Sequence, residues 1–199
     1  MGKLSNISNK AGGEPIPQGV FPARLIGVID LGKQESSYKG KTTQYDKVML
    51  MFEFPQTGEV NGVKFHKTLV TEMATSVRAM PKPSNLYKVF SALDAKADVR
   101  NASNFLGKYL YAQVGRTSGD KAKIINYMPL PAGLPVHEST TQPLLLDLDA
   151  IDLEAYKKLP AFIQNKIKEG VSYAGSEAEA AINSLPIDTS ETDDREGVI

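Results

Sequence analysis

Tyrosines alternating with lysines are the residues here whose types and spacing offer chemistry. Tyr45 and Lys47 share one face of an extended stretch, and Lys64 and His66 share another. Tyr109 and Tyr111 alternate beside Lys108 and Arg116, while Lys121 and Lys123 alternate toward Tyr127. A polar stretch adds Lys33, Tyr38, Lys39 and Lys41, and Arg24 sits in the first apolar run. Aromatic faces stack on bases and lysines pair with backbone phosphates. The chemistry this set offers is therefore the holding of single-stranded DNA without a reaction on it. Packing alone also enriches tyrosine in strands. The other reading of the same set is half-buried tyrosines beside a solvated lysine face.

Other chemistries fit less well. Lys39-Gly40-Lys41-Thr42 suggests a phosphate loop, but Glu35 stands where that motif requires glycine, and no helix pattern follows. Cysteine is absent and only His66 and His137 could serve as imidazole ligands. Asp147, Asp149 and Asp152 are close together, in what reads as a solvated connector rather than a metal centre. No Gly-x-Ser-x-Gly elbow occurs. Neither an enzyme nor a cofactor is expected.

The elements that must position the aromatic and basic residues are mostly strands. Residues 20–31 alternate with Ala23, Leu25, Gly27, Ile29 and Leu31 on one face, and Gly27 suggests a bulge or bend. A polar loop is expected over 32–44. Residues 45–54 place Val48, Leu50, Phe52 and Phe54 on one side and Tyr45, Lys47, Met49, Met51 and Glu53 on the other. Asn61-Gly62 is a hairpin turn that leads into a third strand over 63–71. Ser84 caps a helix with the stripe Leu86, Val89, Phe90 and Leu93. Residues 108–116 and 121–128 form strands four and five around Ser118-Gly119-Asp120.

This order, three strands, a helix and two strands, is that of the OB-fold, whose strands 2–3 and first and last hairpin loops bind oligonucleotides or oligosaccharides. The expected fold is mainly β: a five-stranded OB-fold barrel with one inserted helix, a C-terminal helix and an acidic tail. Residues 1–18 read as a flexible arm, 19–131 as the barrel, and 132–170 as a linker and a helix starting at Pro160. Residues 171–199 read as a disordered acidic tail.

Charge supports the division. Residues 1–128 hold 18 Lys+Arg against 10 Asp+Glu, whereas residues 129–199 hold 5 against 13. A basic body with an acidic end suits a nucleic-acid binder. No apolar run reaches the roughly 20 residues of a membrane helix. The N-terminus lacks the apolar core of a signal peptide. A cytoplasmic location is expected, with no membrane partner.

Three stretches resemble the OB-fold single-stranded-DNA-binding proteins of tailed bacteriophages. They are Pro17 to Gly32 (PQGVFPARLIGVIDLG), Phe105 to Val114 (FLGKYLYAQV) and Leu159 to Lys168 (LPAFIQNKIK). The resemblance implies a role in phage DNA replication or recombination, in the host cytoplasm, and an acidic tail able to contact partner proteins. In this chain that tail is Asp193, Asp194 and Glu196 before Val198 and Ile199, without the aromatic tip of the bacterial single-strand binders. The competing readings are a phage structural or assembly protein that uses the barrel for protein contacts, and a metal-dependent nuclease using Asp147, Asp149 and Asp152. Homo-oligomerisation is left open.

Overall fold

The computed structural model describes residues 14–75, 82 and 84–185 and, at position 38, the backbone only. The mainly-β architecture expected from the alternation is present. Strands β1 (Gly19–Tyr38), β2 (Lys41–Val60), β3 (Val63–Met73), β4 (Tyr109–Arg116) and β5 (Ala122–Pro129) pair antiparallel in the order β3-β2-β1-β4-β5. A short strand, β6 (Leu144–Leu146), adds to β1 in parallel and makes the sheet six-stranded. Among the described residues no ladder joins β3 to β5. The two margins nonetheless approach, with Thr71 of β3 beside the Tyr127 phenol of β5.

A first core lies against one face of the sheet. Val48, Leu50, Phe52 and Phe54 all face into it, as their alternation requires, beside Leu25, Val28, Leu110 and Ala112. Helix α1 (Asn85–Leu93) closes it with Leu86, Val89 and Phe90. The Ser84 hydroxyl accepts from Tyr87 N at 3.2 Å and caps the helix as the sequence indicates. Asn61 and Gly62 turn the β2–β3 hairpin with φ of 51° and 78°, the paired left-handed conformation of a type I′ turn.

Three features differ from the sequence reading. The strict alternation assigned to residues 20–31 breaks at a register shift between Leu25 and Gly27. Ala23, Leu25 and Val28 therefore face the first core, while Ile26, Ile29 and Leu31 face the opposite side. Gly27 permits the break, because a Cβ there would lie 2.8 Å from Met51 Sδ. The polar loop expected over 32–44 is instead a continuous two-stranded ribbon that turns at Lys39 and Gly40. Its Ser, Thr, Gln and Tyr residues suit an exposed ladder.

The third difference concerns the C-terminal part. Helices α2 (Leu153–Lys157), α3 (Ala161–Lys168) and α4 (Glu177–Asn183) follow β6 and pack on the outer face of β1 and β2. Ile163, Ile167, Leu146, Leu159 and Tyr156 there form a second core with Met49, Met51, Ile26, Ile29 and Leu31. Residues 171–185, expected within a disordered tail, are thus folded. The buried Tyr173, Ala178 and Ile182 tie them down. The tail residues Asp193, Asp194, Glu196, Val198 and Ile199 lie outside the described residues, as do residues 1–13 of the expected arm.

Candidate nucleic-acid interface

The ribbon is the first of three places where the expected binding residues gather. Residues directly opposite in an antiparallel pair share a face. Register pairs Lys33 with Asp46, Glu35 with Gln44 and Ser37 with Thr42 on one face. That face satisfies itself, through a Lys33–Asp46 ion pair at 3.7 Å, a Gln44-to-Glu35 hydrogen bond at 3.2 Å and a Ser37–Thr42 hydroxyl contact at 3.0 Å. The other face carries Ser36 opposite Thr43, Tyr38 opposite Lys41 and Gln34 opposite Tyr45. It holds no acid, Lys41 and Thr43 are exposed, and Tyr45 is 45% exposed.

The ribbon is held at its base by the C-terminal part. Gln34 is buried, and its amide donates to Leu31 O at 2.7 Å and Lys166 O at 3.0 Å. Val171 N donates to Lys33 O at 2.7 Å, and Lys33 N donates to Ser172 Oγ at 2.8 Å. Gly32, at φ 65°, makes this approach possible, because a Cβ would lie 2.5 Å from Ser172 Oγ.

The β4–β5 hairpin is the second place. Arg116 pairs with Asp120 at 3.7 Å, and Lys121 and Lys123 are exposed. Tyr111 is half-buried on the outer face between Pro22 and Met128. Lys108 is engaged elsewhere, 2.5 Å from Asp94, whose carboxyl it holds below its usual range. Lys47 is half-buried opposite Gly32.

The third place is covered. Register aligns Glu53 with Arg24 and Arg24 with Tyr109 across β2, β1 and β4. Residues 137–143 cross this row as an extended strap. Arg24 donates to Ser139 Oγ at 2.7 Å and to Thr141 O at 2.9 Å. The Tyr109 hydroxyl donates to His137 O at 2.6 Å. Glu53, only 2% exposed, accepts from His137 Nε2 at 3.2 Å and from the Thr141 hydroxyl at 2.5 Å. His66 Nε2 donates to Glu138 O at 3.1 Å.

No family model, curated protein or solved structure matches the chain. What the site does must come from its own geometry.

Burial is the main influence on ionisation under the strap. It holds the His137 imidazole below its ordinary value; Glu53 opposes this, while His66 and Arg24 add to it. Burial likewise pushes the Tyr109 phenol up. Across the sheet, burial pushes the Tyr127 phenol up to about 12, against a smaller opposing influence of Thr71.

The expected binding residues thus divide. Lys33, Lys39, Lys41 and Tyr45 are together on the ribbon; Arg116, Lys121 and Lys123 are together on the second hairpin. Arg24, His66 and Tyr109 are together under the strap, and Lys64 is exposed at its margin. The Tyr38 side chain lies outside the described residues. Sequence reasoning missed the strap itself. The signal was Glu53, a carboxylate between Phe52 and Phe54, because a buried charge demands partners. Among the described residues no group of three or more His, Asp or Glu is placed to hold a metal. Asp152 instead caps α2, accepting from Glu154 N and Ala155 N, and Asp147 accepts from Asp149 N. No helix among the described residues is long and apolar enough to cross a membrane.

Proposed function

We propose that this chain is a sequence-tolerant single-stranded-DNA-binding protein that performs no chemistry on the strand and acts in phage DNA replication or recombination. The observation that carries the reading is the two-faced ribbon. One face is internally paired; the other offers Tyr45, Lys41, Ser36 and Thr43 without an acid. An aromatic and an ammonium on one face of an exposed arm, about 13 Å apart along the strand, suit a stacked base and the phosphate of a neighbouring nucleotide. The strand order, with α1 between β3 and β4, supports an OB-type framework, in which the first and last hairpins are the usual contact loops. A tail that contacts partner proteins remains part of this proposal.

The test is fluorescence anisotropy of a labelled dT oligomer, with a duplex of equal length as control, at two salt concentrations. The strand should bind well above the duplex, and log affinity should fall with log salt by about 0.7 per phosphate contacted. Tyr45→Ala should weaken binding by about 1–3 kcal/mol, the range for one stacked base. Equal or absent binding of both DNAs at low salt would overturn the reading.

A second reading, protein contact through the sheet, draws on exposed apolar residues of the outer β1–β4–β5 surface. Val20 and Ile125 are both exposed there. That reading becomes first if the anisotropy test fails and the chain forms a defined oligomer.

A further inference from the structure

The strap makes an unusual contact. Its His137 ring is flanked by two aromatic side chains from different strands, with its centroid 4.7 Å from that of His66 and 5.3 Å from that of Tyr109. Its Nε2–H points at Glu53, a buried carboxylate that only accepts. A nitrogen heterocycle packed at 47° to one aromatic ring and edge-on at 81° to another, with an N–H directed to an acceptor, makes the kinds of contact a bound nucleobase makes. The fit is also incomplete, for His66 Nδ1 and His137 Nδ1 are both buried without a hydrogen-bond partner.

We propose that Glu53, His66 and Tyr109 form a nucleobase pocket that His137 fills from within the chain, and that guanine in a single strand is the base the pocket takes when His137 leaves. The inference rests on the single-strand reading for its biological ligand. Guanine follows from Glu53. Its N1–H and N2–H are adjacent donors that a carboxylate accepts together, the bidentate geometry that makes charge-assisted pairs strong. Adenine and cytosine present an acceptor beside their amino group. Thymine presents one N–H between two carbonyls, which a carboxylate repels.

A path for the sugar and phosphate adjoins the ring. A groove of about 690 Å³ lies between β3 and the strap, lined by Lys64, His66, Glu138, Ser139 and Thr140. Lys64 is exposed and placed for a phosphate. Glu138 opposes one, but it belongs to the strap and leaves with His137. No apolar side chain anchors residues 137–141, so their exchange for a base swaps polar contacts for polar contacts.

The test uses mononucleotides, so that it does not depend on strand binding. Full-length His137→Gly and His137→Gln proteins are titrated calorimetrically with GMP and TMP, beside the wild type. Both variants should bind GMP at least tenfold more tightly than TMP and at least tenfold more tightly than the wild type does. Imidazole should compete with GMP in His137→Gly, and adding Glu53→Gln should abolish the preference. His137→Gln keeps a donor for Glu53, so it decides the matter if the glycine variant does not fold. A folded variant that binds GMP and TMP equally, or neither, overturns the pocket. Loss of the pocket with dT-strand binding intact leaves the proposed function standing; a GMP-selective pocket in a chain that binds no strand removes that function alone.

Discussion

The outer face of the sheet is covered twice, by segments of opposite chemistry. Residues 144–185 cover Met49, Met51, Ile26 and Ile29 with Leu146, Leu159, Ile163 and Ile167, all of them buried. Residues 137–143 cover Arg24, Glu53 and Tyr109 almost entirely with hydrogen bonds. Each buried aliphatic side chain contributes about 1.5–3 kcal/mol, and nothing in water replaces it. Each polar contact contributes about 0.5–1.5 kcal/mol net, or about 1.5–3 kcal/mol where Arg24 or Glu53 supplies a charge, and another donor can replace it. The apolar cover is therefore part of the fold. The polar cover is exchangeable, and it is the one that lies over aromatic and basic side chains.

Replacing an apolar anchor should break this contrast most severely. Ile163 is fully buried, so Ile163→Ala should destabilise the whole chain by about 2–5 kcal/mol. A denaturant melt should show one transition shifted as a unit. A separate early transition, with the sheet unfolding at the wild-type midpoint, would show instead that α3 is an appendage.

How much of this was legible in the sequence follows the same division. The strands of the first core were readable because Val48, Leu50, Phe52 and Phe54 alternate with period two. Helix α1 was readable because its stripe and its Ser84 cap coincide. Alternation puts Met49 and Met51 on the face opposite the Phe52 side, but nothing local indicates that a segment about 100 residues away buries them. Gly27 in mid-strand signals a bulge or bend; the consequence, the transfer of Ile29 and Leu31 to the other core, requires the register. The ribbon was hidden because Ser36, Ser37, Thr42 and Thr43 are as common in loops as in exposed strands. The strap was hidden because its partners, Arg24, Glu53, His66 and Tyr109, come from four strands and meet only in the folded sheet.

A smaller effect should follow from loosening the polar cover. Arg24→Ala removes the donor to Ser139 and Thr141, an interaction of about 1.5–3 kcal/mol for a charged group. Amide hydrogen exchange should accelerate over residues 137–143, while β1, β2 and α3 keep their protection. Acceleration spread evenly over both covers would mean that strap and helices open as one unit and that the contrast is false.

The smallest expected effect is that of pH, and it comes from the His137 ring. Burial holds its folded value below the ordinary 6.5, with His66 and Arg24 acting in the same direction and Glu53 against them. Tyr109 is pushed upward and stays neutral throughout this range. An imidazole that resists protonation when docked takes up protons more readily once the strap is released. The docked strap therefore keeps its full stability above about pH 6.5 and loses stability as the pH falls from there through the depressed folded value. Exchange over residues 137–143, corrected for its intrinsic pH dependence, should show more opening at pH 5.5 than at pH 7.5. In His137→Gln that difference should shrink. An unchanged wild-type profile would mean that Glu53 holds the docked ring as readily in its protonated form as in its neutral one.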